Sequence, residues 1–166
     1  MKIFAILVLL IGSAAASFAQ ATASANATAA IVTAISITKV VDMNFGNVAV
    51  ATAPGGTVVL TPASTRTSTG GVTLPSTTGT VTAASFNVGG QGIYTYSITL
   101  PSSPLTITSG VNTMTVSSFT STPSGVGSLA AGAQVLNVGA TLNVAAAQPA
   151  GVYTSAMSFN VTVNYN

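Results

Sequence analysis

The chain has 166 residues with 3 Lys+Arg, 1 Asp+Glu and no His, so that 2% of it is charged while 48% is hydrophobic. An average soluble protein is about 25% charged, so Thr, Ser, Asn and Gly must supply the polar surface here, and Thr, Val and Ile pack best on a pleated sheet. The same composition excludes a phosphate-neutralising patch for nucleic acid, excludes disulfides and thiolate metal sites for want of Cys, and leaves almost nothing for acid–base catalysis.

Residues 1–19 read as an export signal. Lys2 precedes the apolar run 3–11 (IFAILVLLI), and the small-residue stretch 12–19 follows, which is the order of a secretory leader. Ser17 and Ala19 stand where a signal peptidase reads, which predicts cleavage before Gln20. An uncleaved anchor is the competing reading, but the run falls short of the roughly 20 residues that span a bilayer. No membrane span is expected after cleavage. The exported chain is expected in the periplasm, at the cell surface or outside the cell. It keeps Lys39 and Arg66 against Asp42, a net charge of +1, so association between copies meets little electrostatic resistance.

Residues 20–30 form an extension of different character. Ala21, Ala23, Ala25, Ala27, Ala29 and Ile31 alternate with Thr22, Ser24, Asn26 and Thr28. An extended ribbon of this kind has one small apolar face. Three readings stay open: a strand donated to a neighbour's sheet, a disordered leader, or the domain's own first strand. Alanine buries little area, so such a donor grips weakly.

Residues 31–166 are expected to be a single β domain. Apolar residues recur at every second position in short runs, and no stretch repeats at helical spacing. The runs are Ile31, Ile35, Ile37; Met43, Phe45; Val58, Leu60; Val72, Leu74; Phe86, Val88; and Tyr94, Tyr96, Ile98, Leu100 with Thr95, Ser97 and Thr99 facing water. Leu105 with Ile107, Met114 with Val116, and Leu136 to Val144 come next. The last run is Met157, Phe159, Val161, Val163 and Tyr165. Gly- and Pro-containing turns separate the runs. About nine strands at this spacing predict an all-β, immunoglobulin-like antiparallel Greek-key β-sandwich. Residues 51–56 and 121–132 are expected to be mobile loops, and 145–147 to add a helical turn ended by Pro149.

No catalytic, cofactor-binding or metal site is expected. Lys39 is the one side chain able to act as a base for a serine, and beside Asp42 it reads more simply as a solvated ion pair. Asp42, Asn44 and Asn47 offer one carboxylate, too little charge for calcium, and read as Asx turns. Gly125, Gly127 and Ala130 match a dinucleotide fingerprint in spelling, but lack the acidic residue about 20 positions on. They read as a glycine-rich loop. The stretch 74–79 and the sequons at Asn26 and Asn160 are taken as chance.

Three stretches carry a resemblance: 43–48 (MNFGNV), 56–62 (GTVVLTP), and 148–153 (QPAGVY) leading to 159–165 (FNVTVNY). With these the chain resembles a secreted bacterial domain-of-unknown-function family, number 4402. It is similar in style to spore-coat-protein-U domains and chaperone-usher pilin subunits. The pilin likeness rests on the Gly-x-Tyr lead-in to the last strand and on Tyr165 next to the end. It implies a structural subunit, self-association, and a periplasmic chaperone or surface-assembly partner on that last strand. Pilins of that kind often carry a disulfide, and this chain cannot.

Two functions follow. The first is a pilin-like or surface-layer subunit whose assembly elements are residues 20–31 together with Tyr153, Met157, Phe159, Val161, Val163 and Tyr165. The alternative is a monomeric secreted binding module or adhesin that takes an extracellular ligand such as carbohydrate through loops 89–92 or 121–132. Exposed Tyr94 or Tyr96 beside a cleft favours the second; burial favours the first.

Overall fold

Period-two patterning is realised as strands. Residues 20–166 are described by the computed structural model, and every regular element among them is a β-strand. The expected signal peptide, residues 1–19, lies outside the described residues. In chain order the strands are β1 (Ser36–Val41), β2 (Asn44–Phe45), β3 (Ala49–Val50), β4 (Gly56–Leu60), β5 (Arg66–Gly70), β6 (Val72–Thr73), β7 (Val81–Thr82) and β8 (Ala84–Gly89). There follow β9 (Thr95–Thr99), β10 (Leu105–Ser109), β11 (Asn112–Thr122), β12 (Val126–Ser128), β13 (Ala133–Val144), β14 (Thr154–Ser155) and β15 (Thr162–Tyr165).

All pairings are antiparallel. The large sheet runs β1-β8-β13-β11-β10-β14, with β4 joined to β13 and β5 joined to β4. A second sheet runs β12-β9-β15. The order β1-β8-β13-β11 opposite β9-β15 is the A-B-E-D and C-F arrangement of an immunoglobulin-like sandwich. Fifteen strands replace the expected nine partly because the segment after β1 folds as two-residue pairs, β2 with β7 and β3 with β6. Gly46, at φ 68°, turns the chain before the first of these ladders can lengthen.

The long strand β13 sets the core. Leu136, Val138, Ala140, Leu142 and Val144 all point inward and are buried. Its first half pairs with β8 and its second half with β4. Two clusters result. One packs Ala84, Val88, Leu136 and Val138 against Tyr96, Leu129 and Val163 of the second sheet side. The other gathers Val58, Val72, Val116, Ala140, Leu142 and Val144 under Phe45, Val48, Val50 and Leu74. A bulge between Ser117 and Thr120 restores the inward phase of β11 after Val116, so that Phe119 reaches both clusters.

Several expectations are corrected. The last strand begins at Thr162, and Met157 is 76% exposed. Upstream, Tyr153 Oη donates to the Pro149 carbonyl at 2.7 Å and Gln148 Nε2 donates to Tyr153 Oη at 2.9 Å, closing a compact turn, after which β14 pairs with β10 in the large sheet and the chain crosses to the second sheet before β15 begins. Tyr153 therefore stands in that turn and in no strand. Phe159 and Val161 pack against the first cluster from irregular chain. The first strand starts at Ser36 and Ile31 is fully exposed. Residues 126–128, read as loop, form an edge strand on β9. Residues 145–147 make a turn without helix, and Tyr94 precedes β9.

Candidate assembly surface

The two sheets differ in length. β13 has 12 residues and β11 has 11, about 40 Å of strand, whereas β9 has 5 and spans about 17 Å. The short sheet covers only the first cluster. Over the second cluster the large sheet is roofed by short strands and irregular chain, and a groove of about 980 Å³ opens there. Its floor includes Leu105, Ile107, Met114 and Leu142, and residues 148–155 and Phe159 form part of its wall. Lys39 and Asp42 are the charged residues in its lining.

The wall formed by residues 41–50 is pinned by Arg66. Its guanidinium donates to the carbonyls of Phe45, of Asn47 at 2.7 Å and of Thr78 at 3.3 Å. Asn44 Oδ1 accepts from the Gly46 amide at 2.8 Å, the expected Asx turn, and Asn47 Nδ2 donates to the Thr77 carbonyl at 3.0 Å. A methyl group on Gly46 would lie 2.3 Å from the Thr78 carbonyl oxygen and 2.9 Å from the Arg66 guanidinium, so only glycine fits. Lys39 Nζ meets both oxygens of Asp42, at 2.7 and 2.8 Å, and the pair stands in solvent as expected. Asp42, Asn44 and Asn47 are thus committed to separate bonds.

The chain leading to the C-terminal strand lines the groove at Ser158 and Phe159. β15 pairs with β9 on one side, and among the described residues no strand pairs with its other side. Val163 is buried and Tyr165 is partly buried in the first cluster. Tyr165 Oη donates to the Thr33 carbonyl at 2.7 Å and accepts from the Gln91 amide at 2.6 Å. Tyr94 tilts against Tyr165 with ring centres 5.5 Å apart and remains 39% exposed. Tyr96 is fully buried, its hydroxyl donating to Gln134 Oε1 at 2.8 Å, and burial raises its phenol above the ordinary range. The same Gln134 oxygen accepts from the Ser128 amide at 2.9 Å, which ties β12 to β13.

Residues 20–31, which carry the expected donor positions Ala21, Ala23, Ala25, Ala27, Ala29 and Ile31, contain no strand, and every one is exposed. Of the expected C-terminal assembly residues, Val163 and Tyr165 lie in β15, Phe159 lines the groove, and Met157 stands off the sheet. Sequence reasoning missed Arg66 and Gln134. The available signal was chemical: a long cation or amide in a nearly uncharged chain must find carbonyls or hydroxyls when half-buried.

A family model described as Domain of unknown function (DUF4402) matches residues 35–165. Neither a curated protein nor a solved structure matches the chain.

Proposed function

We propose that this chain, which belongs to the family described as Domain of unknown function (DUF4402), is an exported, non-catalytic structural subunit, pilin-like or part of a surface layer, that assembles with its own copies through β-strand contacts. The leader-like residues 1–19 support export to the periplasm, cell surface or medium. With no His, Cys or Glu and one Asp already bonded to Lys39, the chain offers no constellation for nucleophilic or acid–base chemistry.

One observation carries the assembly reading. An uncharged segment with alternating apolar residues stands exposed and unpaired at residues 20–31, in a chain whose C-terminal strand has one open side. An open strand edge is a template for another chain, and proteins that are not meant to associate blunt it with charge or proline. β15 reads TVNY and carries neither. A periplasmic chaperone or surface-assembly factor would engage the same edge before the copies meet.

Half-exposed Tyr94 beside Ile93, which is 86% exposed, favours the second reading, a monomeric module binding an extracellular ligand such as carbohydrate through loop 89–92. Sedimentation of the exported chain at two concentrations, followed by negative-stain microscopy, tests the choice. Concentration-dependent oligomers or filaments support the subunit. A single monomeric boundary at both concentrations rejects it and leaves the binding module.

A further inference from the structure

We propose that Tyr94 and Tyr165 form an oxidative cross-linking site, at which a one-electron oxidant couples the two phenols into a dityrosine that staples the C-terminal strand to the chain entering β9. The site lies within one molecule and does not depend on assembly.

Composition singles out the phenols. Cys and Trp, which compete with tyrosine for a one-electron oxidant, are both absent, and 4 Tyr remain. Two of them are unsuited. Tyr96 is fully buried and bonded to Gln134. Tyr153 is tied into the turn at residues 148–153 and pairs with no aromatic ring among the described residues.

Tyr94 and Tyr165 are neighbours, although they stand far apart in the chain. Their ring centres are 5.5 Å apart and their planes meet at 58°, within the roughly 4.5–7 Å of packed aromatic pairs. Tyr165 is held by its hydroxyl, through Thr33 and the Gln91 amide. Tyr94 is held by its main chain, whose carbonyl accepts from the Leu129 amide at 2.9 Å, while the residue remains 39% exposed. An oxidant in solvent therefore reaches the Tyr94 ring. Exposed side chains change rotamer in picoseconds to nanoseconds, so closing this ring onto its held partner needs no refolding.

The step balances. Tyr94 loses an electron and its hydroxyl proton, and the second equivalent leaves Tyr165 through the adjacent ring. In each phenoxyl the unpaired spin spreads onto the carbons beside the oxygen, Cε1 and Cε2, and a bond forms between one such carbon of each ring. The hydrogen that each bonded carbon carried then moves, by way of water, to the phenol oxygen and restores the hydroxyl. Hydrogen peroxide, acting through a peroxidase, takes up the two electrons and two protons and becomes two waters. The product is lighter by two hydrogens and keeps the Tyr165 hydroxyl for Thr33 and Gln91. In a chain that cannot form a disulfide, such a bond restricts the unfolded ensemble as a disulfide would.

The methionines provide the assay. The chain from Gln20 onward is treated with a haem peroxidase and limiting hydrogen peroxide, any methionine sulfoxide is reduced, and cyanogen bromide cuts after Met43, Met114 and Met157. The expected result is blue dityrosine fluorescence in monomeric protein, residues 44–114 joined to residues 158–166 with the loss of two hydrogens, and a raised Tm before cleavage. Tyr94→Phe should abolish the joined fragment, and Tyr153→Phe should leave it intact. No joined fragment, one that persists in Tyr94→Phe, or coupling confined to dimers overturns the site. Coupling that leaves Tm unchanged overturns the staple.

Discussion

The Tyr165 hydroxyl donates to the carbonyl of Thr33 at 2.7 Å, so the final strand is fastened by its tip to the start of the folded unit, Val32–Asn166. The same oxygen accepts from the Gln91 amide at 2.6 Å. A methyl on Gly90 would sit 2.2 Å from it. Thr33 and residues 90–91, far apart in the chain, therefore meet at one phenol.

Tyr165→Phe keeps the ring in the first cluster and removes both bonds. A stability loss of about 1–2 kcal/mol is expected in urea titration, with faster hydrogen exchange at the Gln91 amide than at core amides such as that of Leu136. Unchanged exchange at Gln91 would show that the phenol does not hold that turn.

Arg66 is a second pin, and its role depends on a forked cation. Arg66→Ala leaves the carbonyls of Phe45, Asn47 and Thr78 without their shared donor and is expected to cost about 2 kcal/mol. Arg66→Lys should recover only part of that, because a single ammonium cannot span the three acceptors as a planar guanidinium does. Equal midpoints for Lys and Arg would refute the fork.

Tyr96 and Gly127 are packed without slack. A methyl at Gly127 would lie 2.2 Å from Tyr96 Cζ and 2.5 Å from Cε1, both of them ring atoms. Gly127→Ala is therefore expected to destabilise by at least about 2 kcal/mol, in the range of overpacked cores. Adding Tyr96→Phe should not rescue it, since the ring stays. Tyr96→Phe alone should cost about 1 kcal/mol. Rescue of Gly127→Ala by Phe would place the clash on the hydroxyl instead.

The raised phenol of Tyr96 has a pH consequence of definite sign. Burial disfavours the phenolate in the folded state, so above the unfolded phenol's value near 10 the unfolded chain binds fewer protons than the folded one. Stability from this group is complete below that value and is lost as pH rises through the higher folded value. Urea titrations between about pH 9 and about pH 11 should show a decline that Tyr96→Phe flattens. An identical decline in both proteins would assign it to other groups.

Much of the sandwich was legible in period two. The pairs Leu105–Val116 and Ile107–Met114 face each other across β10 and β11, and the inward run of β13 appears residue by residue. The solvated Lys39–Asp42 pair and the Asn44 turn followed from short-range chemistry. The final run was misread because alternation in Met157 to Val161 reports a strand only where a partner strand lies alongside, and this stretch passes from β14 on the large sheet to β15 on the second sheet. The groove had no local signal. It arises from a mismatch in length between β13 and β9, which belongs to two sheets at once.

Face-specific charge tests the proposed assembly most directly. Sedimentation of the chain from Gln20 onward is compared for Ala25→Asp with Ala27→Asp, which charges the apolar face of the extension, and for Ser24→Asp with Asn26→Asp, which adds the same charge to the opposite face. If alternate alanines enter a neighbour's sheet, the first double variant loses the fast-sedimenting species, since buried unpaired carboxylates cost several kcal/mol, and the second retains it. Equal sedimentation of the two variants, whether both assembled or both monomeric, would contradict donation of this strand by its alanine face.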